Sequence, residues 1–247
     1  MLKILRRQVS PVACYDLLHM SRDKLRICET FFSIQGESSH MGLPCVFIRL
    51  TGCHLRCTYC DTAYSFTEGE HRLVDEIVSE TLAYPCNLVE ITGGEPLLQP
   101  GVHTLMERLA NAGKTVLIET SGACDISKCD PRVIRILDLK TPGSGEAQRN
   151  LLDNFQYLTK QDEVKFVITD HSDYLWSRDM IQEHDLANKC GCILMSPVYE
   201  QAANEHIAGC QGLPLDLLVS WILEDGLPVR LQTQLHKLIW DPQTRGV

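Results

Sequence analysis

Three cysteines fall close together in Cys53-His-Leu-Arg-Cys57-Thr-Tyr-Cys60, a C-x3-C-x2-C run. Three thiolates at this spacing can ligate three corners of a cubane iron–sulfur cluster. A structural zinc ion wants a fourth protein ligand, and His54, adjacent to Cys53, points poorly for joint chelation with it. Three ligands leave the fourth iron open, and a small molecule can chelate it. A zinc knuckle borrowing a distant Cys or His, or three merely buried cysteines, is the bland alternative. Neither accounts for Tyr59 before the last cysteine together with Gly93-Gly94-Glu95-Pro96 downstream. Cys124-x4-Cys129 and Cys190-Gly-Cys192 could suggest a second cluster. Free cysteines commonly pack as small hydrophobes, so one cluster is expected.

Other polar motifs each follow a short apolar run. They are Thr92-Gly93-Gly94-Glu95, Glu119-Thr120-Ser121-Gly122, Lys140-Thr141-Pro142-Gly143 and Ser196-Pro197. The runs predict strands over 46–50, 88–92, 115–120, 136–140, 164–169, 193–195 and 229–232. They are nearly continuous in Val, Ile and Leu, as strands covered on both faces should be. Helical patterns lie between them at 74–83, 102–112, 145–158, 173–188 and 214–223, with Gly113 and Gly226 at C-cap positions. Such alternation implies parallel strands with right-handed crossovers. The expected fold is α/β: an incomplete (β/α) barrel of six or seven mostly parallel strands. In barrels the active site lies at the C-terminal ends of the strands, which is where these motifs fall.

The length of 247 residues suits one large domain. With 44% hydrophobic and 22% charged residues, the composition is that of an ordinary globular chain. A net charge of −9 repels phosphate backbones, which argues against direct nucleic-acid binding. No apolar run reaches the ~20 residues of a membrane span. Residues 1–24 read as an N-terminal extension without a secretory signal, Met20 being a candidate natural start, and 25–247 as the catalytic domain. Twelve cysteines without such a signal point to metal binding rather than disulfides, and to a cytoplasmic protein.

Further motifs flank the cysteine triplet: Phe31-Phe32-Ser33-Ile34-Gln35-Gly36-Glu37, then Gly42, Pro44 and Arg49; Asp61-Thr62; and Leu231-Gln232-Thr233-Gln234-Leu235-His236-Lys237. From about residue 28 onward the chain resembles the radical-SAM superfamily, and within it the 7-carboxy-7-deazaguanine synthases. The resemblance implies that S-adenosylmethionine chelates the open iron and is cleaved to a 5′-deoxyadenosyl radical. That radical would start the ring contraction of 6-carboxy-5,6,7,8-tetrahydropterin to 7-carboxy-7-deazaguanine, with loss of ammonia, on the way to queuosine or related deazapurines. It further implies Mg²⁺, a homodimer, and a reductant such as flavodoxin or ferredoxin.

By the same resemblance, Cys53, Cys57 and Cys60 hold one [4Fe–4S] cluster and Thr62 ligates Mg²⁺, for which a hydroxyl is a suitably hard ligand. Ile34, Gln35, Gly36, Glu37, Arg49 and Thr92 would contact the pterin. Gln35 can both donate and accept on an amide edge, a carboxylate can accept two N–H bonds, and Arg49 can grip the substrate carboxylate. If the stretch is extended, Gln35 and Glu37 share one face. Glu119 and His236 would act in catalysis. Tyr59, Cys60, Asp61, Gly94 and Glu95 would hold S-adenosylmethionine, Glu95 by bracing its loop. Thr141, Pro142 and Gly143, with Ser196, Pro197, Val198 and Tyr199, would hold its adenosyl portion. The competing reading is a radical-activating enzyme that abstracts hydrogen from a glycine of a partner protein. Ile34–Glu37 and Thr62 suit a small pterin and Mg²⁺ but serve no evident purpose for a protein substrate.

Overall fold

A computed structural model describes residues 23–247; the proposed extension, including Met20, lies almost wholly outside the described residues. One sheet organises them, in the order β3-β1-β2-β4-β5-β6-β7-β8-β9. The seven expected runs form its parallel portion: β2 (Pro44–Leu50), β4 (Leu88–Gly93), β5 (Thr115–Thr120), β6 (Ile134–Leu139), β7 (Glu163–Ile168), β8 (Cys192–Pro197) and β9 (Arg230–Leu231). Two more strands extend it. β1 (Lys24–Ile34) runs antiparallel to β2, and β3 (Glu70–Leu73) runs antiparallel to β1. The sheet therefore ends in two edges, β3 and β9, as an incomplete barrel should.

Alternation along the strands divides the side chains between two faces. Val46, Ile48, Val89, Ile91, Val116 and Ile118 turn outward and are buried in one core. Val74 and Ile77 of α1 (Val74–Ala83) and Leu105, Met106 and Leu109 of α2 (Gly101–Asn111) cover them. Farther along, Val164, Phe166, Ile168 and Met195 pack in a second core. It includes Tyr174 and Ile181 of α3 (His171–Glu183), Leu186 of α4 (Leu186–Lys189) and Leu218 of α5 (Leu215–Asp225). Gly113 and Gly226 adopt positive φ just after α2 and α5, the geometry expected of C-caps.

Two helical expectations need correction. Residues 145–158 form no α-helix but short 3-10 turns, Ala147–Arg149 and Leu152–Tyr157. Asparagines are the reason, because their amides bond to backbone that a helix would have to ignore. Asn150 receives the Lys140 N–H at 2.9 Å and donates to the Lys140 carbonyl at 2.8 Å. Asn154 donates to the carbonyls of Gly122 and Cys124 at 3.1 and 2.8 Å. The expected helix over 173–188 begins earlier, since the Asp170 side chain caps it by accepting from the Asp173 N–H at 2.9 Å. It breaks at Asp185, whose φ is +51°, before α4 resumes.

Candidate active site

The inner faces of β2, β4, β5, β6 and β7 surround a cavity of about 230 Å³. That space exceeds what a lone metal ion needs. The loop after β2 brings Cys53, Cys57 and Cys60 to its wall, where Leu55 and Val198 pack among them. Burial pushes all three thiols upward, Cys57 to about 11. Thiolates here thus call for a positively charged partner, as iron supplies. The Leu55 N–H lies 3.4 Å from the Cys53 sulfur, a contact suited to a ligating thiolate. Among the described residues no group of His, Cys, Asp and Glu is gathered as for a single metal ion. Three thiols distributed around one wall fit the separate corners of a cubane.

Glycine makes this wall possible. A Cβ on Gly94 would stand 2.2 Å from the Gly52 carbonyl oxygen and 2.8 Å from the Cys53 Cβ, so only glycine lets the β4 loop pass the cysteine loop. Gly36 is similar: its added Cβ would lie 2.3 Å from Nδ1 of His236, on α6 (His236–Ile239). Tyr59, Asp61, Thr62, Thr92, Glu119, His236 and the Ser196–Tyr199 stretch also line the cavity, as do Ile34, Gln35, Gly36, Glu37 and Arg49. Thr62 occupies the N-cap position of a 3-10 turn, Ala63–Phe66, yet its side chain makes no capping bond. Its hydroxyl instead lies 3.9 Å from the Cys60 sulfur.

Glu95 is placed as a loop brace, whereas other expected positions differ. Glu95 is fully buried and outside the cavity wall. It accepts from the Thr120 hydroxyl at 2.9 Å, the Ser121 N–H at 2.8 Å and the Leu97 N–H at 3.0 Å, so it braces the loop rather than facing a ligand. Thr141, Pro142 and Gly143 are likewise absent from the wall. Asp173 on α3 holds that loop by accepting from the Thr141 hydroxyl at 2.9 Å and the Gly143 N–H at 2.8 Å. The stretch after Ile34 is not extended either. The Glu37 N–H turns back to the Gln35 side-chain oxygen at 3.0 Å, and the Gln35 amide donates to Glu90. Gln35 is thereby 2% exposed and committed within the chain.

Arg49 is held by its Nε, 2.7 Å from Glu29, which also accepts from the Tyr64 hydroxyl at 2.8 Å. Among the described residues its hydrogen bonding runs through Nε alone. Asp61 lies 2.8 Å from Lys237. Burial would raise the Asp61 carboxyl, but Lys237 outweighs it and holds the group below its ordinary range. Burial lowers His236 against the pull of Glu37 and Asp61, leaving a neutral imidazole at neutral pH.

Three ionisable cavity residues were not singled out from sequence: Glu90, Asp138 and Lys165. Lys165 donates to Glu37 at 2.6 Å and to Glu119, and lies 3.4 Å from Asp138. Asp138 also pairs with Lys140 at 3.0 Å, while its other oxygen is buried without a partner. An unsatisfied buried carboxylate oxygen beside a cavity invites a ligand donor. Burial first, and the charge of Glu119 second, push Glu90 up to about 8, so it carries a proton at neutral pH. The missed signal was periodic: Arg49, Glu90, Glu119, Asp138 and Lys165 each interrupt an apolar strand on its cavity-facing phase.

The other cysteine pairs engage elsewhere in the fold. Cys190 is buried and bonds to the Leu186 and Cys192 carbonyls at 3.2 and 3.3 Å, and Cys129 packs in the first core.

A parallel open barrel presenting a cysteine triplet at its strand ends defines a class, the radical-SAM enzymes. The sequence pattern of the Radical SAM superfamily matches residues 47–138. A 7-carboxy-7-deazaguanine synthase of Koribacter versatilis is 45% identical over 90% of this chain and 100% of its own length. One from Chlorobaculum tepidum is 43% identical over 90% of this chain and 97% of its own. The crystal structure of QueE from Escherichia coli shares the fold, with a TM-score of 0.65 at 22% identity over 86% of this chain and 95% of that one. The chain belongs to the 7-carboxy-7-deazaguanine synthase family. Its cofactors are a [4Fe–4S] cluster and S-adenosylmethionine. No described helix is long and apolar enough to cross a membrane.

Proposed function

We propose that this enzyme contracts the ring of 6-carboxy-5,6,7,8-tetrahydropterin to 7-carboxy-7-deazaguanine, releasing ammonia, as a step of deazapurine biosynthesis. The carrying observation is one cavity that joins the cysteine triplet to Arg49, Glu37 and Glu119. Cys53, Cys57 and Cys60 would hold the cluster, which would supply the electron for cleavage of S-adenosylmethionine and thus a hydrogen-abstracting radical.

The chain's own residues bind and orient. Arg49, already fixed through Glu29, offers two nitrogens to the substrate carboxylate. Glu37 and Glu119 accept from the donor-rich edge of the pterin. Gln35 and Gly36 shape that edge, Gln35 by fixing Glu37 rather than through its own amide. Ile34 and Thr92 complete the pterin wall. His236, neutral and beside Gly36, can take or return a proton during loss of ammonia. Thr62, whose hydroxyl makes no capping bond, offers an oxygen to Mg²⁺, with substrate oxygens and water completing the shell. Tyr59, Asp61, Gly94 and Ser196–Tyr199 remain for S-adenosylmethionine, with Glu95 and Thr141–Gly143 as supports behind them.

The family resemblance supports three further readings: residues 25–247 act as one catalytic domain, in a cytoplasmic homodimer, reduced by a flavodoxin or ferredoxin. The test is anaerobic reconstitution with iron and sulfide, then incubation with the tetrahydropterin, S-adenosylmethionine, Mg²⁺ and dithionite. Formation of 7-carboxy-7-deazaguanine and ammonia in equal amounts is expected. Cleavage of S-adenosylmethionine without any deazapurine would overturn the reading.

A further inference from the structure

Lys165 is only 6% exposed, yet it stands among three carboxylates contributed by three different segments. Glu37 comes from the loop after β1, Glu119 from β5 and Asp138 from β6. An ammonium has three donors and no acceptor, so it suits three such partners at once. Stability is a poor reason for the arrangement. Buried ion pairs are often matched or bettered by apolar packing of similar volume. The outward phase of the same β7 strand is apolar, with Val164, Phe166 and Ile168 fully buried. A lysine on the inward phase, at the cavity wall, therefore calls for a functional account.

We propose that Lys165 is a positioning residue of the pterin pocket: it fixes Glu37 and Glu119 as an anionic pair directed at the N–H edge of the substrate. The inference rests on the pterin reading above. The geometry supports it. Every recorded bond to Glu119 falls on Oε1, and Glu119 is 24% exposed by side chain, so its second oxygen is free to face a ligand. Gln234 donates to the other Glu37 oxygen at 2.8 Å, and Gln232 donates at 3.2 Å to the oxygen that takes Lys165. Several charged groups face the pair. Lys165 favours its negative charge and Asp138 opposes it, His236 and Glu90 act on it only at pH values where they are charged, and Lys140 is engaged with Asp138. Burial would raise Glu37, yet Lys165 brings it below the ordinary carboxylate range. Burial also raises Glu119, and Lys165 is the largest influence restraining that rise. Without the ammonium, both carboxylates would take up protons at higher pH and lose their value as acceptors.

The test is binding, not turnover. Anaerobically reconstituted holoenzyme is titrated with 6-carboxypterin, an oxidised analogue with no hydrogen at C6 to give, and its fluorescence is followed across the pH range. Titration of the analogue itself is common to all variants and cancels between them. The parent should bind. In Lys165→Met the pH at which binding is half lost should move up by about one unit or more, with affinity at least about 10-fold weaker on the acid side. Lys165→Arg should restore a midpoint near the parent's. A folded Lys165→Met variant with an unmoved midpoint would overturn the proposal, as would an Arg variant no better than Met. If circular dichroism shows that Lys165→Met does not fold, Lys165→Met/Glu119→Gln removes one charge of each sign. Its midpoint should lie above that of Glu119→Gln alone, and equality would overturn the proposal. Failure of the parent to bind 6-carboxypterin would remove the pterin reading and this inference together, whereas loss of the midpoint shift alone removes only this inference.

Discussion

Val89 and Ile91 face the helices and are completely buried, while Glu90 and Thr92 alternate with them and face the cavity. The same contrast recurs on β7, where Val164 and Phe166 face outward and Lys165 inward. Each strand thus serves two requirements one residue apart. The outward face is selected for volume and apolarity and is interchangeable within those limits. The inward face carries charge in a dry place, which costs desolvation unless every group has a partner or a ligand. The chain meets that demand with a shared network: Lys165, Lys140 and Arg49 offset Glu37, Glu119, Asp138 and Glu29. The two faces should therefore fail in different ways when altered.

The largest contrast is between two cysteines. Cys57 lines the cavity, whereas Cys129 packs in the helix-covered core. Cys57→Ala should lower bound iron from about four atoms per chain to near zero and abolish S-adenosylmethionine cleavage, because only two ligands would remain. Cys53→Ala and Cys60→Ala should behave alike. Cys129→Ala should keep the full iron complement and lose only stability. Iron and sulfide analysis separates the outcomes. The triple replacement of Cys124, Cys190 and Cys192 should also retain about four iron atoms. Losing half would reveal a second cluster.

A smaller contrast sets Ile91 against Arg49. Ile91→Ala should cost about 2–5 kcal/mol of unfolding free energy in urea titrations, the usual range for deleting a buried large aliphatic, and leave KM for the pterin near normal. Arg49→Ala should raise that KM about 10–150-fold, corresponding to about 1.5–3 kcal/mol for a charge-assisted contact. Cleavage of S-adenosylmethionine without pterin should stay near normal. A parallel fall of cleavage and product would place Arg49 in the fold or the cofactor site.

What was legible in the sequence follows the same division. The parallel strands were readable because their apolar runs are dense, and the cysteine triplet because its ligands are adjacent in the chain. β1 escaped notice because Lys24, Arg26, Glu29 and Thr30 interrupt its apolar residues; it pairs with β2 on one side and β3 on the other. Lys165 escaped because it interrupts an apolar run and its partners lie far away in sequence; Asp138, also inside an apolar run, pairs with nearby Lys140 as well as with Lys165. Lys165 and Glu37 are 128 positions apart. The Thr141–Gly143 loop was misplaced because its bonds to Asp173 depend on how α3 docks, which no local pattern encodes.

Mg²⁺ response should be subtler. Thr62→Ala should weaken stimulation of turnover by Mg²⁺ without reducing iron content, since the hydroxyl makes no capping bond and lies 3.9 Å from the Cys60 sulfur. An unchanged Mg²⁺ titration would return Thr62 to a role in the turn.

The last effect is expected at Glu90, in stability and not in catalysis, where the contrast between faces becomes a pH dependence. Its carboxyl is raised from 4.5 to about 8, by burial first and by Glu119 second. At neutral pH it is a neutral acid held by the Gln35 amide, so Glu90→Gln is nearly isosteric and isoelectronic there. Between about 4.5 and about 8 the folded state keeps a proton that the unfolded state has released. The slope of stability with pH follows the protons bound by the unfolded state minus those bound by the folded state, which is negative in this window. The carboxyl thus reduces stability progressively as pH rises, and the loss is complete above about 8. Glutamine does not titrate. The variant should match the parent near pH 5, gain on it steadily toward pH 8 and hold a constant lead beyond, as read from urea midpoints at a series of pH values. A difference that does not change with pH would mean that Glu90 is ionised in the folded state, and that Lys165 supports three anionic glutamates rather than two and a neutral acid.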